Sequence, residues 1–191
     1  MEKSLVRKQM LAVRSDYQHV WLQESSKNIC EYLSKWPIFK QASCVMGYLA
    51  YENEVNIDDL LTAALAQGKK VAVPLIMPNK KENIIKAIEF KGFDNIVVGE
   101  YGIRTVDKMG DLLEPASIDL VLVPGVAFTE QGERLGMGKG YYDNFLPQAV
   151  KAKKIGITLS MQLAKSLPTE EHDIKVDFLV TEKGIIECKT E

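Results

Sequence analysis

The sequence predicts an α/β fold: a mostly parallel sheet flanked by helices, in a Rossmann-like, three-layer architecture. Short apolar runs, which are typical of strands buried on both faces, alternate along the chain with helical patterns. The length of 191 residues suits one domain, and the chain has no internal repeat or low-complexity linker. We therefore expect residues 1–191 to form a single domain.

The chain is expected to open with a helix over residues 3–35, because apolar residues recur there at helical spacing. This stripe consists of Val6, Met10, Val13, Tyr17 and Val20. At about 100° per residue, three cations fall together beside the stripe. They are Lys3, Arg7 and Arg14. If the helix docks through its apolar stripe, these cations would line the edge of the docked surface. The alternative is a basic flank that faces solvent.

Strands and helices then alternate. Strands are predicted over 43–50, 70–74, 83–90, 118–124, 154–158 and 175–182, the last of which is expected to be the final strand. A helix is predicted over 56–70, with Asn56 as its cap and Gly68 as its stop, and a short one over about 139–149. Ligands bind outside the carboxyl ends of the strands in such sheets. The segment that leaves the 118–124 strand should lie at that edge.

Composition and charge exclude several classes of function. The net charge of −2 gives no bias towards nucleic acid or membrane surfaces. Three widely spaced cysteines and two histidines argue against a zinc site. No apolar stretch is long enough to span a membrane, and the N-terminus lacks the apolar core of a secretory signal. We expect a cytoplasmic monomer with no nucleic-acid or membrane partner.

The most specific stretch is GERLGMGKGYYD, residues 132–143. Alternating glycines allow positive φ and turn successive N–H groups towards one concavity, which favours an anion, and a helix that starts there adds its partial charge. The cations of the turn would bind a phosphate. These glycines and cations are Gly136, Gly138, Gly140, Arg134 and Lys139. Neither the Walker loop nor the dinucleotide fingerprint matches. The alternative is a glycine-rich connection with a solvated lysine.

Three carboxylates stand near predicted functional segments. Asp143 follows the glycine turn directly, and Asp177 begins the strand at 175–182. Mg²⁺ beside phosphates needs only one or two carboxylates, although a helix-dipole partner and a turn residue are alternatives for these two. Glu54 lies just beyond the first strand and could bind an amine or a ring N–H. It could equally be a solvated loop carboxylate.

Together these segments resemble one family, the 5-formyltetrahydrofolate cyclo-ligases, also called 5,10-methenyltetrahydrofolate synthetases. The long glycine motif is highly specific, and the order of the other segments strengthens the match over nearly the whole chain. The segments are VPGVAFTEQGERLGMGKGYYDNFL (123–146), KSLVRKQMLAVR (3–14), EVNI (54–57), GKKVAVP (68–74) and VDFLVTE (176–182). The resemblance implies a single cyclo-ligase domain over residues 1–191.

The resemblance also implies an activity, in which ATP and Mg²⁺ convert 5-formyltetrahydrofolate to 5,10-methenyltetrahydrofolate with release of ADP and phosphate. The implied catalytic residues are Lys139, Arg134 and Tyr141. ATP would contact Lys3, Ser4, Leu5, Val6, Arg7, Gly132, Glu133, Arg134, Leu135, Gly136, Met137, Gly138, Lys139, Gly140, Tyr141 and Tyr142. The folate would contact Leu49, Glu54, Met137, Gly138, Lys139, Gly140 and Tyr141. Mg²⁺ would be held near Asp143 and Asp177.

Two positions depart from the family pattern. Met137 stands where an aromatic or basic residue is frequent, and YGIRT (101–105) stands where Gly-Ile-x-Glu-Pro is frequent. Other classes also fit parts of the chain. A sugar-phosphate isomerase or CoA-transferase-like enzyme could use the glycine turn for a phosphate that is never transferred. A non-catalytic folate or nucleotide-binding regulator is the second rival, and a nucleic-acid binder is the third.

Overall fold

The computed structural model describes residues 2–77, 83–99, 102–107 and 110–189. The helices are α1 Lys3–Ser15, α2 His19–Lys35, α3 Pro37–Gln41, α4 Asp58–Ala66 and α5 Tyr141–Phe145. The strands are β1 Cys44–Met46, β2 Lys70–Met77, β3 Ile84–Glu89, β4 Ile96–Val98, β5 Arg104–Val106, β6 Leu112–Leu113, β7 Leu120–Pro124, β8 Ala127–Phe128, β9 Arg134–Leu135, β10 Lys153–Ile157, β11 Phe178–Thr181 and β12 Gly184–Glu187. Across these ranges, no helix combines the length and the apolar character needed to cross a bilayer.

The described strands form one large sheet and two small hairpins. The sheet has the order β12-β11-β10-β7-β1-β2-β3-β6. Its five central strands, β11 to β2, are parallel, and the outer pairs β11–β12, β2–β3 and β3–β6 are antiparallel. The hairpins are β4–β5 and β8–β9. The predicted mostly parallel sheet is therefore confirmed.

Alternate residues of each central strand are buried on opposite faces of the sheet, which shows that both faces are covered. On β2, for example, Val71 and Val73 pack in one apolar cluster and Ala72 packs in the other. Helices α2, α3 and α4 bury residues in the first cluster, and Phe145 of α5 lies in the second. Each fully buried aliphatic side chain contributes about 1.5–3 kcal/mol. The three-layer arrangement is thus confirmed.

The helix predicted over residues 3–35 is wrong in one respect, because it is two helices. Gln18 is extended, with ψ at 130°, so the periodic stripe does not continue from α1 into α2. Val13 is 38% exposed and Val20 is 65% exposed, so neither joins the core. Helix α1 packs through Val6 and Met10 against a small apolar cluster. The other members of this cluster are Ala127, Leu135, Ala164 and Leu167.

Several predicted boundaries also differ. Strand β2 continues through Pro74 to Met77, since β1 pairs only with Lys70–Ala72 and the missing N–H interrupts no ladder on that side. The strand at 175–182 is not the last, because β12 folds back on β11. Helix α5 spans only Tyr141–Phe145, and a 3₁₀ turn at Leu146–Gln148 completes the segment predicted as one helix.

Candidate active site

The candidate site lies at the carboxyl edge of the parallel strands. The segment 47–57 follows β1, and the segment 125–140 follows β7. Helix α5 is at the same edge, because Asn144 donates to the carbonyl of Asn83 at 3.1 Å, beside the end of β2. Helix α1 packs on the β8–β9 hairpin. The glycine turn and the segment that carries Glu54 lie at this edge as predicted, and α1 meets the turn through the hairpin.

Arg7 joins α1 to the glycine turn. Its Nε donates to the carbonyl oxygen of Gly136 at 2.8 Å. Gly138 has φ at 90°, and a Cβ there would lie 3.1 Å from Cζ of Arg7. A glycine is needed for this close approach, because other residues rarely adopt that φ. Arg7 is therefore held against the turn, and the alternative of a solvated flank does not apply to it.

The rest of the predicted α1 segment is less closely engaged with the turn. The ammonium of Lys3 pairs with Asp173 at 2.7 Å and with Glu170 at 3.2 Å. Ser4 and Leu5 are exposed, and Val6 is buried in the apolar cluster that docks α1. Lys3 would have to leave these carboxylates to reach a nucleotide.

The glycine turn divides into a buried base and an exposed tip. Gly132 has φ at 83° and lies against the backbone of Val176, where a Cβ would meet the carbonyl oxygen at 2.3 Å. Leu135 is buried, while Met137 and Lys139 are exposed. Among the described residues, Lys139 has no hydrogen bond or ion pair. Its ammonium is thus free to meet an anion.

Arg134 is held within the protein at the base of the turn. Its side chain is only 4% exposed, and Nη2 donates to Asp143 at 2.7 Å. Its Cζ lies 5.6 Å from the ring centroid of Tyr142. The buried Nε of Arg134 and the buried hydroxyl of Tyr142 have no hydrogen-bond partner among the described residues. Burial raises the pKa of Tyr142, so this hydroxyl stays neutral. Both atoms are closed to solvent in this structure, so a ligand would reach them only if the side chains around them moved.

Glu54 is a partly buried carboxylate, so the alternative of a solvated loop residue is excluded. Its side chain is 15% exposed, and Oε2 accepts from the backbone N–H of Tyr51 at 3.1 Å. Burial raises the pKa of Glu54, although the Tyr51 N–H and Arg14 oppose that effect. A cavity of about 270 Å³ opens beside it and is also lined by His19 and Asn53. Leu49, in contrast, is buried in the core.

The structure does not bring Asp177 to this site. Its carboxylate accepts from the N–H of Lys154 at 2.7 Å, near the start of β10. The carboxyl end of β10, Ile157, pairs with Pro124 of β7. Three strand residues span about 10 Å, so Asp177 lies at the opposite edge of the sheet from Asp143. The two carboxylates predicted near one Mg²⁺ cannot both bind it.

Of the two predicted carboxylates, Asp143 is the one that lies at this edge, where it fits a cation. One of its oxygens pairs with Arg134, and its side chain keeps 19% of its surface exposed. Mg²⁺ commonly takes one or two carboxylates together with substrate phosphates and waters. A single available oxygen therefore suffices if a polyphosphate supplies the other ligands.

Two remaining sequence features have a definite place. Tyr141 is partly buried and packs beside the apolar cluster under α5. In the YGIRT segment, Tyr101 lies outside the described residues. Arg104 donates to both carboxylate oxygens of Asp58, at 2.8 and 3.1 Å. This departure from the family pattern thus ties the β4–β5 hairpin to α4.

The comparisons with known proteins identify the family. The sequence model of the 5-formyltetrahydrofolate cyclo-ligase family matches residues 1–182. The chain belongs to this family. It is 32% identical over 159 residues to a probable 5-formyltetrahydrofolate cyclo-ligase of Caenorhabditis elegans, with 78% of this chain and 76% of the relative covered. It is 29% identical over 168 residues to the cyclo-ligase of Escherichia coli K12, with 86% and 92% covered.

Solved cyclo-ligase structures share the fold. The 5,10-methenyltetrahydrofolate synthetase of Aquifex aeolicus superposes with a TM-score of 0.86 at 32% identity, over 100% of this chain and 95% of that one. The synthetase of Mycoplasma pneumoniae superposes with a TM-score of 0.77 at 23% identity, over 95% and 99%, and supports the fold alone. The chain is accordingly a ligase of the cyclo-ligase family.

Proposed function

We propose that this cyclo-ligase converts 5-formyltetrahydrofolate to 5,10-methenyltetrahydrofolate and uses ATP and Mg²⁺, with release of ADP and phosphate. The observation that carries the proposal is the contact between Arg7 and Gly136, because it places a cation of α1 against the glycine turn. The names of the similar proteins support the substrate and the product. Glu54 at the same edge offers a carboxylate for the folate.

The chemistry accounts for the residues present. The formyl oxygen of the substrate attacks the γ-phosphorus of ATP, an O–P bond forms, and ADP leaves. The N10 amine then attacks the activated carbon and loses its proton. Phosphate departs with the former formyl oxygen as the new ring closes. Every nucleophile belongs to the substrate, so the protein needs no Ser-His or Cys-His pair.

The protein's task is to position the substrates and to stabilise charge, the two effects that dominate phosphoryl transfer. Lys139 would contact the moving phosphoryl, and Arg7 would hold the phosphates at the turn. Arg134 would keep Asp143 beside the phosphates through their ion pair. Met137 and Tyr141 would contact the folate from the turn, while Glu54 would accept from its ring nitrogens.

Mg²⁺, where bound, would neutralise phosphate charge during the transfer. Asp143 would hold it through the carboxylate oxygen that does not accept from Arg134. Asp177 is assigned no part in this site, because it lies at the other edge of the sheet.

The test is the absorbance of methenyltetrahydrofolate as purified protein is supplied with 5-formyltetrahydrofolate, ATP and Mg²⁺. Product formation is expected only when all three are present. Hydrolysis of ATP that does not respond to added folate would favour another phosphate-using enzyme. If folded protein binds 5-formyltetrahydrofolate and ATP but forms no product, a non-catalytic binding regulator would be favoured.

Replacing Glu54 with glutamine is expected to weaken use of the folate more than use of ATP. The change removes a charge-assisted contact worth about 1.5–3 kcal/mol, which corresponds to an increase of about 10–150-fold in the KM for 5-formyltetrahydrofolate. The matched control is Glu24→Gln, at an exposed glutamate of α2, which should leave the KM for folate and for ATP unchanged. Unchanged folate KM and turnover in Glu54→Gln would reject the assignment.

A further inference from the structure

Arg14 is a buried cation outside the family-implied site residues. It lies in the last turn of α1, and its side chain is 3% exposed. Its Nη1 is 3.7 Å from Oε1 of Glu54, and its Nη2 is 3.9 Å from Oε2 of Glu52. Both separations exceed a hydrogen bond, so the guanidinium acts on these carboxylates through its charge. Nη2 has no hydrogen-bond partner among the described residues.

The turn that faces Arg14 is strained. Glu52 has φ at 50° and is the one non-glycine residue with positive φ in the described ranges. The turn closes when the N–H of Glu54 donates to the carbonyl of Tyr51 at 3.1 Å and Oε2 of Glu54 accepts from the N–H of Tyr51. Such backbone persists only where its surroundings hold it, and it concentrates at functional sites. Asn53 also donates from Nδ2 to the backbone carbonyl of Arg14, at 3.4 Å.

We propose that Arg14 is a positioning residue, whose guanidinium holds the Glu54 carboxylate, with its negative charge, in place for the ring nitrogens of the folate. Its role in folate binding rests on the proposed function. The buried charge of Arg14 is otherwise a cost, because within the described ranges its guanidinium has no hydrogen bond to compensate for lost hydration. Arg14 serves to keep the Glu54 carboxylate ionised, which is the form that the folate needs.

The charges around Glu54 fix the sign of the expected pH effect. Arg14 faces it from α1, Glu52 from the turn, Tyr48 from the segment after β1 and Tyr142 from α5. Burial raises the pKa of Glu54 and Arg14 lowers it, while both tyrosines have raised pKa values and stay neutral. Removing the Arg14 charge should raise the Glu54 pKa further. Folate binding needs the ionised carboxylate. As the pH is lowered, the variants should therefore lose folate binding at a higher pH than the wild type does.

Two measurements test the proposal. The first is an NMR titration of ¹³C-labelled glutamate carboxyls from about pH 4 to about pH 8, in which Glu54→Gln assigns the Glu54 signal. The second is equilibrium binding of 5-formyltetrahydrofolate, without ATP, over the same range. Both are applied to the wild type, Arg14→Met, Arg14→Gln and Arg14→Lys. The methionine and glutamine variants both remove the charge, one with an apolar and one with a polar side chain, so either suffices if the other fails to fold.

In the charge-removing variants, we expect the Glu54 midpoint to rise and folate binding to weaken about tenfold or more. Arg14→Lys should return the midpoint towards the wild-type value. Glu52→Gln is the matched control and should lower the midpoint, because Glu52 raises the Glu54 pKa. An unchanged midpoint in a folded charge-removing variant would overturn the proposal. A raised midpoint when even the wild type fails to bind the folate would uphold the coupling between Arg14 and Glu54 and reject the proposed function.

Discussion

Replacing Lys139 with alanine is expected to lower turnover by about 10²–10³-fold, with a much smaller effect on ATP binding. Lys139 is exposed at the tip of the glycine turn and is the one lysine among its alternating glycines. A cation beside the γ-phosphoryl contributes most when charge moves in the transition state. Arg7, which donates to the carbonyl oxygen of Gly136 in the turn, should still retain the nucleotide. Lys139→Arg should restore little, because a planar guanidinium does not reproduce a compact ammonium.

The measurement is single-turnover formation of methenyltetrahydrofolate alongside direct ATP binding. The control is Lys153→Ala, which removes an exposed lysine at the amino end of β10 and should leave both quantities unchanged. If Lys139→Ala loses ATP binding but reaches normal turnover at saturating ATP, Lys139 anchors the ground state and has no catalytic role.

Replacing Asp143 with asparagine is expected to destabilise the protein by about 3 kcal/mol as well as to depress turnover. The change leaves Arg134, whose side chain is 4% exposed, without its 2.7 Å carboxylate partner. An uncompensated buried guanidinium typically costs about 3–5 kcal/mol, and the 19% exposure of Asp143 places the cost at the low end. For a chain of this size, Tm should fall by about 6–12 °C. The Mg²⁺ concentration needed for half-maximal rate should rise.

Thermal unfolding and Mg²⁺ titration of the rate provide the measurements. The double variant Arg134→Met with Asp143→Leu separates the two effects, because apolar replacement of a buried pair is often neutral or stabilising. It should recover Tm and stay inactive. A wild-type Tm and a wild-type Mg²⁺ curve in Asp143→Asn would show that the pair contributes little and that Asp143 does not hold the cation.

Local patterns in the sequence were sufficient for the fold class and for the central part of the site. The apolar runs at 118–124 and 154–158 form β7 and β10, since residues of that kind are stable only when both faces of a strand are covered. The segment that carries the glycine turn leaves the carboxyl end of β7, so its place at that edge follows from strand direction. Its residue types were also specific enough to indicate the family.

Contacts between distant segments decided the rest. The spacing of Lys3, Arg7 and Arg14 groups them on one side of a helix, but only packing shows that Lys3 pairs with Asp173, Arg7 with the glycine turn and Arg14 with Glu54. Asp177 looks like a metal ligand by residue type, yet its place before a parallel strand puts it at the amino edge, bonded to Lys154. Burial and charge pairing depend on residues far away in sequence, and helical or strand periodicity carries no information about them.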